Sequence, residues 1–188
     1  MSIIRLKEAK RKEEDIIESI KSGKIFVYPT DTIYGLGCDA SDDKAVLKLR
    51  RIKRSKKPFS IIASKEWIRK NCYLGRFSPF LEKLPGPYTF ILRLKKPAKK
   101  KLSKYVNLGK DTIGVRIPAH EFTKIILKAR KPFITTSANK SGKKYAKSIQ
   151  ELPFRIRRRC ILIDAGKIEG KPSIIIDLTG KIPKIIGR

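Results

Sequence analysis

Short apolar segments that end at a proline, a glycine or a polar cluster recur along the chain and alternate with helical patterns. In residues 7–22, Ile16, Ile17 and Ile20 lie at helical spacing and Gly23 follows as a stop, which predicts a helix. Further helices are predicted at residues 43–52, 64–70, 77–84 and 119–129. Strands are predicted at residues 24–28, 59–63, 88–94, 112–117, 132–136, 160–163, 173–178 and 184–186. Fully apolar strands need cover on both faces, so this order favours an α/β fold with helices around a mostly buried sheet.

Size and composition exclude several classes of protein. The 188 residues, 40% of them hydrophobic, predict one domain over residues 1–188 rather than a disordered basic tail. No apolar run approaches the roughly 18 residues of a membrane span, and the charged start of the chain lacks a signal peptide's apolar core. Three widely spaced cysteines and a single histidine, His120, fit neither a disulfide framework nor a zinc site. We therefore expect a cytoplasmic protein without membrane contact.

The net charge of +29 predicts a strong positive potential and an anionic partner. A compositional bias towards Lys and Ile is the alternative, since Lys outnumbers Arg 31 to 15. The distribution is uneven: residues 1–47 hold 8 bases and 9 acids, whereas residues 48–188 hold 38 bases and 8 acids.

Familiar catalytic motifs are missing from the sequence. It contains neither GxGxxG nor GxxxxGK[ST], and Gly35-Leu36-Gly37 alone is a weak indication of a nucleotide loop. It also lacks CxxC, HExxH and the aromatic motif of common RNA-binding modules, so no metal-ligating residues are predicted.

Four polar patches remain that could bind a ligand. Residues 29–39 (PTDTIYGLGCD) follow a predicted strand, where hydroxyls, an acid and glycines suit either a ligand loop or an ordinary turn. Residues 50–58 (RRIKRSKKP) overlap a stretch, Lys48–Lys57, with seven bases and no acid. This stretch fits either a phosphate clamp or a solvated helix end.

The third patch, residues 111–118 (DTIGVRIP), places Arg116 in a strand fit for burial. A buried arginine needs an anionic partner, which is either an internal carboxylate or a ligand. In the fourth patch, residues 133–142 (FITTSANKSG), a strand leads into hydroxyls and an amide. Such groups fix a ligand by hydrogen bonds or cap the next element.

Taken in this order, the patches resemble the YrdC-like family, the L-threonylcarbamoyladenylate synthases. The resemblance covers residues 12–188 and predicts the short form, without the C-terminal domain of longer members. It rests on PTDTIYGLGCDA (29–40), KKPFS (56–60), LPGPYTFIL (84–92), DTIGVRIPAH (111–120), TTSANKSG (135–142) and IDAGKIEGKPSIIIDLTGKIPKII (163–186). The resemblance implies an open α/β fold whose twisted sheet lines a deep positively charged cavity.

The resemblance also implies a reaction, namely that of L-threonine, bicarbonate and ATP to threonylcarbamoyl-AMP and pyrophosphate. Mg²⁺ is expected with ATP, bound largely through the nucleotide. The product would pass to tRNA-modification proteins that form threonylcarbamoyladenosine (t6A). The reaction needs positioning and neutralisation of phosphate charge more than acid/base groups, which suits a chain with one histidine.

Site residues follow from the same resemblance. Those expected to bind threonine are Thr30, Thr32, Tyr34, Arg116, Thr135 and Ser173. Those expected to act catalytically on the phosphates are Arg51, Lys53 and Lys57. Those expected to bind ATP are Arg54, Lys57, Thr112, Ser137, Asn139 and Arg188.

The chain departs from the family pattern at three places. The family's Lys-x-Arg aligns without gaps to Arg51-Ile-Lys53, with the charges swapped, whereas a slip of one residue uses Lys53 and Arg54. Ile62 stands where the family often has a histidine, and Gly187, followed by Arg188, stands where it has an arginine.

Two other functions are compatible with the pattern. Basic runs at residues 93–104 and 155–159 favour a protein of the same fold that binds tRNA or double-stranded RNA without catalysis. The other is a carbamoyl-transfer module like that of hydrogenase-maturation proteins, which is disfavoured because no acylphosphatase or zinc-finger segment accompanies it.

Overall fold

The computed structural model describes residues 2–187, so the predicted ATP residue Arg188 lies outside the described residues. The strands are β1 (Ile3–Arg5), β2 (Phe26–Tyr28), β3 (Gly35–Gly37), β4 (Ser60–Ile62), β5 (Cys72–Tyr73), β6 (Tyr88–Leu94), β7 (Thr112–Arg116), β8 (Phe133–Ser137), β9 (Ile161–Asp164), β10 (Ile174–Asp177) and β11 (Lys184–Ile186). The helices are α1 (Leu6–Arg11), α2 (Glu13–Lys21), α3 (Asp43–Lys53), α4 (Lys65–Asn71), α5 (Lys96–Lys99), α6 (Lys104–Asn107), α7 (Glu121–Lys128) and α8 (Phe154–Arg157), with a 3₁₀ helix at Gly75–Lys83.

The strands form one open, mixed sheet in the order β1-β9-β2-β3-β8-β4-β7-β6-β10-β11, with β5 paired to β6. The parallel pairs are β1/β9, β2/β9, β4/β7 and β6/β10, and the other pairs are antiparallel. The predicted α/β class with an open sheet is therefore confirmed.

Most predicted elements are present, but two predictions about them are wrong. The helix predicted at residues 7–22 is interrupted at Lys12, whose φ of −102° and ψ of 38° are not helical. The segment therefore forms two helices, α1, which buries Ala9, and α2, which buries Ile16 and Ile20. The helix predicted at residues 77–84 is a 3₁₀ helix that contains Pro79, which cannot donate a backbone hydrogen bond.

Strand β3 was missed because its sequence, Gly-Leu-Gly, lacks the bulky residues typical of strands. A Cβ on Gly37 would lie 1.8 Å from the Ile134 carbonyl oxygen, and one on Gly35 would lie 2.7 Å from the Tyr28 ring. Only glycine therefore fits at these two places.

One face of the sheet is a continuous hydrophobic core. Directly paired residues share a face, so the pairings Val27–Leu36, Ile61–Ile134, Ile61–Val115 and Phe90–Val115 place their side chains on it. All of these side chains are buried. Helix α3 packs on this core through Val46, Leu49 and Ile52, and its first turn is capped by the Asp42 side chain.

The opposite face has two parts. In the first part Phe26, Tyr28, Ile62 and Phe133 pack against apolar side chains of α2 and α7. In the second part, paired residues of β8, β4 and β7 form a row of small residues, namely Thr135, Ser60 and Gly114. We call this second part of the face, around Thr135, Ser60 and Gly114, the polar face.

Candidate functional site

The loop between β2 and β3 is built around the Thr30 hydroxyl. Thr30 Oγ1 accepts hydrogen bonds from the backbone N–H groups of Thr32 and Ile33, at 3.1 and 3.2 Å. It also donates to the Ile33 carbonyl, at 2.7 Å, and lies 2.9 Å from Thr32 Oγ1. The predicted loop residues Thr30 and Thr32 are thus buried and held by each other rather than by a neighbouring helix.

The Arg116 side chain reaches this loop from the end of β7. Its Nη2 donates to Asp31 Oδ1 at 2.9 Å and to Thr32 Oγ1 at 3.3 Å. Arg116 is buried and Asp31 is largely buried, with 9% and 12% of their side-chain surfaces exposed. The anion that a buried arginine requires is therefore Asp31, an internal carboxylate, and not a ligand alone.

Arg116 nevertheless keeps unused donor capacity. Its Nε is buried and has no hydrogen-bond partner among the described residues. Burial lowers the pKa of the guanidinium, and the Asp31 charge opposes that shift. Thr135 and Arg116 both lie close to the Tyr28 hydroxyl, where they oppose the rise in its pKa that burial causes.

A second buried cation, Lys53, ends helix α3. Its Nζ donates to the carbonyl oxygens of Ser137 and Asn139, at 2.6 and 3.2 Å, and to Asn139 Oδ1 at 2.7 Å. Ser137 Oγ also bonds Asn139 Oδ1 at 2.7 Å. No carboxylate pairs with Lys53 among residues 2–187, and burial lowers the pKa of its ammonium group to about 8. The structure therefore brings together three of the predicted site residues, Lys53, Ser137 and Asn139.

The segment between β9 and β10, residues 165–173, crosses the loop between β2 and β3. Tyr34 is fully buried, and its hydroxyl donates to the Gly166 carbonyl at 2.7 Å and accepts from the Ala165 N–H at 3.0 Å. Burial raises the pKa of Tyr34 to about 12. A Cβ on Gly170 would lie 2.0 Å from the Thr32 carbonyl oxygen. We call residues 165–173 the strap, because it lies directly on the loop.

Three further predicted residues lie on or beside the polar face. Ser173, which ends the strap, is buried with its Oγ 2.8 Å from Thr89 Oγ1. Thr135 is buried in the row of small residues, and Thr112, which is partly exposed, begins β7, the strand that ends at Arg116. Gly114 lies in the same strand as Thr112 and pairs with Ser60. A Cβ on Gly114 would lie 2.4 Å from the Ser60 hydroxyl oxygen, so glycine at this position leaves room for that hydroxyl.

The other predicted bases, Arg51, Arg54 and Lys57, are exposed and touch none of these groups. Arg51 follows Lys44 and Lys48 along the exposed stripe of α3, about 200° around the helix from Lys53. Arg54 ends the helix with a φ of 54°. Next to it, the Ser141 N–H donates to the Lys53 carbonyl at 3.1 Å.

Sequence reasoning missed two residues that hold the site. The sequence pattern predicts no role for Asp31, although the need of a buried arginine for an anion points to a nearby carboxylate. Arg50 donates to four backbone carbonyls, those of Ser55, Lys57, Tyr105 and Val106, and lies 4.4 Å over the Phe59 ring. It therefore holds the loop that carries Lys57.

Two surface cavities, of about 80 and 220 Å³, lie beside α5 and α6 and beside β5, and no predicted site residue lines either of them. The deep positively charged cavity therefore stays a prediction. Within residues 2–187, no three His, Cys, Asp or Glu side chains gather where they could hold a metal ion. The same part of the chain contains no helix long and apolar enough to cross a membrane.

Comparison with known proteins places these features in a family. The Sua5/YciO/YrdC family model, described as "Telomere recombination", matches residues 18–188. A Methanocaldococcus jannaschii protein named "Putative threonylcarbamoyl-AMP synthase" is 36% identical over 187 residues, which cover 95% of this chain and 86% of the relative.

Solved structures agree with this match. P. abyssi Sua5 in complex with L-threonine is 29% identical with a TM-score of 0.82, over 98% of this chain. This chain spans only 56% of that protein. E. coli YciO is 28% identical with a TM-score of 0.83, over 99% of this chain and 95% of its own. On the extent of the family match and the identity to the M. jannaschii relative, the chain belongs to the Sua5/YciO/YrdC family.

Proposed function

We propose that the protein is an L-threonylcarbamoyladenylate synthase, a nucleotidyltransferase that converts L-threonine, bicarbonate and ATP to threonylcarbamoyl-AMP and pyrophosphate. The observation that carries this proposal is the buried Nε of Arg116, which lies beside the Thr30–Thr32 loop and has no hydrogen-bond partner within residues 2–187. A buried donor without an acceptor costs about 1–3 kcal/mol, which a carboxylate bound there would recover. The name of the M. jannaschii relative and the threonine complex of P. abyssi Sua5 support the same substrate.

Threonine would be held at the loop and the strap. Its carboxylate would accept hydrogen bonds from Arg116. Asp31 would hold the guanidinium in place, because Arg116 Nη2 already donates to the Asp31 carboxylate. The hydroxyls of Thr32, Thr135 and Ser173 would contact the rest of the molecule. Tyr34 would act through the strap, since its own hydroxyl is engaged there.

ATP would bind at the other end of the polar face, near Lys53. Ser137, Asn139, Thr112, Arg54, Lys57 and Arg188 would contact the nucleotide. Lys53 supplies a fixed positive charge to the turn that carries Ser137 and Asn139, and exposed Lys57 supplies a second one. Mg²⁺ would enter with ATP as part of the substrate, because the triphosphate supplies oxygen ligands.

The chemistry asks little of acid or base groups. Bicarbonate supplies CO₂, and the threonine amine forms a C–N bond to its carbon; the proton that the amine loses and the hydroxide that bicarbonate loses leave as water. An oxygen of the resulting carbamate then attacks the α-phosphorus. An O–P bond forms, the bond from the α-phosphorus to the bridging oxygen breaks, and pyrophosphate leaves with its electron pair. Buried cations on both sides of the reacting groups would offset the charge that develops. The product would pass to tRNA-modification proteins for t6A formation.

The test is pyrophosphate release from Mg²⁺-ATP and bicarbonate, with and without L-threonine. We expect release that depends on threonine, and we expect Arg116→Ala to abolish it while the exposed control Arg11→Ala retains it. No threonine dependence, under conditions in which an authentic family enzyme works, contradicts the proposal. It would then favour the alternative of a non-catalytic tRNA or double-stranded RNA binder.

A further inference from the structure

Tyr28, the last residue of β2, carries a buried hydroxyl that packing does not explain. Its side chain is fully buried, and its Oη makes no hydrogen bond among residues 2–187. Buried hydroxyls normally have a partner, because an unsatisfied one costs stability. Phenylalanine would fill the same space without that cost. The hydroxyl therefore indicates binding of a ligand rather than packing.

The Tyr28 ring is held so that its hydroxyl end lies over β3. Tyr28 pairs with Gly35, and a Cβ on Gly35 would lie 2.7 Å from Tyr28 Cζ and 3.0 Å from Tyr28 Oη. The ring stacks on Phe122, with 5.9 Å between the centroids, and meets the edge of Phe133 at 5.6 Å. Glycine in β3 thus leaves room for the hydroxyl, and two aromatic side chains fix its direction.

Two of the residues predicted to bind threonine lie near this hydroxyl. The strand next to β3 in the sheet is β8, which carries Thr135. Burial raises the pKa of Tyr28, and both the Thr135 side chain and the Arg116 charge oppose that rise, so both lie close to Oη. Because the pKa stays above its ordinary value, Tyr28 keeps its proton at neutral pH and can donate a hydrogen bond.

Tyr28 and Arg116 therefore offer two unused donors in one region. The Tyr28 O–H and the Arg116 Nε–H are both buried and have no acceptor within residues 2–187. They come from opposite sides, since β3, β8 and β4 separate β2 from β7 in the sheet. A carboxylate suits such a pair, because it has two acceptor oxygens, whereas an ammonium group has none.

We propose that the Tyr28 hydroxyl donates a hydrogen bond to the carboxylate of bound L-threonine, on the side away from Arg116. Tyr28 is then a further substrate-binding residue, outside the motifs that predicted the site. This inference rests on the proposed function, because threonine is its ligand. A water molecule between Tyr28 and Thr135 is the alternative, and it predicts that threonine binds equally well without the hydroxyl.

The test is calorimetric titration of L-threonine into the wild type and Tyr28→Phe, which removes the hydroxyl and keeps the ring. We expect the affinity for threonine to fall by roughly 10- to 100-fold, as for the loss of a hydrogen bond to a charged group, and the affinity for ATP to stay the same. The melting temperature of Tyr28→Phe without ligand should be no lower than that of the wild type, because an unsatisfied hydroxyl is lost.

The matched control is Thr123→Val, which removes another buried hydroxyl without a hydrogen bond, on α7 rather than on the sheet. It should leave threonine affinity unchanged. Equal affinity of Tyr28→Phe and the wild type for threonine overturns the inference, and so does an equal loss in Tyr28→Phe and Thr123→Val.

L-Valine tests which part of threonine Tyr28 contacts, because it keeps the carboxylate and has a methyl group in place of the hydroxyl. Its affinity, measured by displacement of threonine, should fall by the same factor in Tyr28→Phe. An unchanged affinity for valine would assign Tyr28 to the threonine hydroxyl and overturn the inference. Failure of the wild type to bind threonine contradicts the proposed function as well, whereas the other contrary outcomes contradict this inference alone.

Discussion

Two buried cations, Arg116 and Lys53, lie near the polar face and face different partners. Arg116 Nη2 donates to the Asp31 carboxylate at 2.9 Å, whereas Lys53 faces no carboxylate among residues 2–187 and donates to uncharged oxygens of Ser137 and Asn139. Arginine stays protonated when it is buried, so an internal carboxylate makes its burial tolerable. Lysine can lose its proton, and burial lowers its pKa to about 8.

The difference indicates what each end can bind. At Arg116 the charge is already balanced, so selectivity comes from the geometry of the remaining N–H groups. At Lys53 the charge is not balanced, so an anion that approaches stabilises the protonated form. We therefore expect the Arg116 end to select a carboxylate by shape and the Lys53 end to attract phosphates by charge.

Replacing Arg116 should give the largest effect. Arg116→Ala leaves the largely buried Asp31 carboxylate without its charged partner and with the Ala119 N–H as its remaining donor among residues 2–187, and breaking such a pair typically costs about 3–5 kcal/mol of stability. We expect threonine affinity to fall by about 100-fold or more and ATP affinity to change much less. Titration calorimetry with each substrate measures both.

A second variant separates folding from binding. Arg116→Ala combined with Asp31→Ala removes both charges, so the melting temperature should recover while threonine binding does not. An equal loss of threonine and ATP affinity in the folded double variant would contradict the role of Arg116.

Removing Lys53 should cost activity more than stability. Lys53→Met leaves carbonyl oxygens without a donor but also removes the cost of burying a charge, and these effects oppose each other. We expect the KM for ATP to rise by roughly 10- to 100-fold, as for the loss of one charged hydrogen bond, with a smaller change in the KM for threonine. Steady-state kinetics with each substrate varied in turn decides the matter.

The pH dependence of stability should distinguish the two cations. Between pH 8 and 10.5 the unfolded chain holds a proton on Lys53 that the folded chain has lost, so this group makes the free energy of unfolding rise with pH. Denaturant unfolding of the wild type and of Lys53→Met across this range isolates the contribution. A difference between the two proteins that does not change with pH means that Lys53 titrates at its ordinary value.

The smallest effects should come from the exposed bases next to Lys53. Arg54 lies beside the contact between Lys53 and Ser141, whereas Arg51 lies on the opposite side of α3. We expect Arg54→Ala to lower the rate severalfold and Arg51→Ala to change it by less than twofold. Neither variant should change stability by more than about 0.5 kcal/mol. The reverse order of the two rates would select the gap-free alignment with Arg51.

The sequence predicted most of the strands and α3, because apolar runs carry that information, whereas the contacts of Lys53 with Ser137 and Asn139 come from the structure. It did not predict β3, since glycines chosen for close approach to Tyr28 and Ile134 carry no strand propensity. The sequence does not identify Asp31 as the partner of Arg116, because the pattern shows that an anion is needed without showing which atom supplies it. The structural role of Arg50 was not predicted, because Arg50 lies in a run of basic residues and its sequence context does not distinguish it from its exposed neighbours.

Gly170 approaches the Thr32 carbonyl so closely that the loop and the strap are in direct backbone contact. The strap is tied in turn to the segment after β8, where the Ile168 N–H donates to the Lys147 carbonyl at 2.8 Å and Lys147 pairs with Glu169 at 2.9 Å. That segment runs from Asn139 to α8. We therefore expect a displacement of the loop to move the strap, and through Lys147 to move the segment that leads to α8.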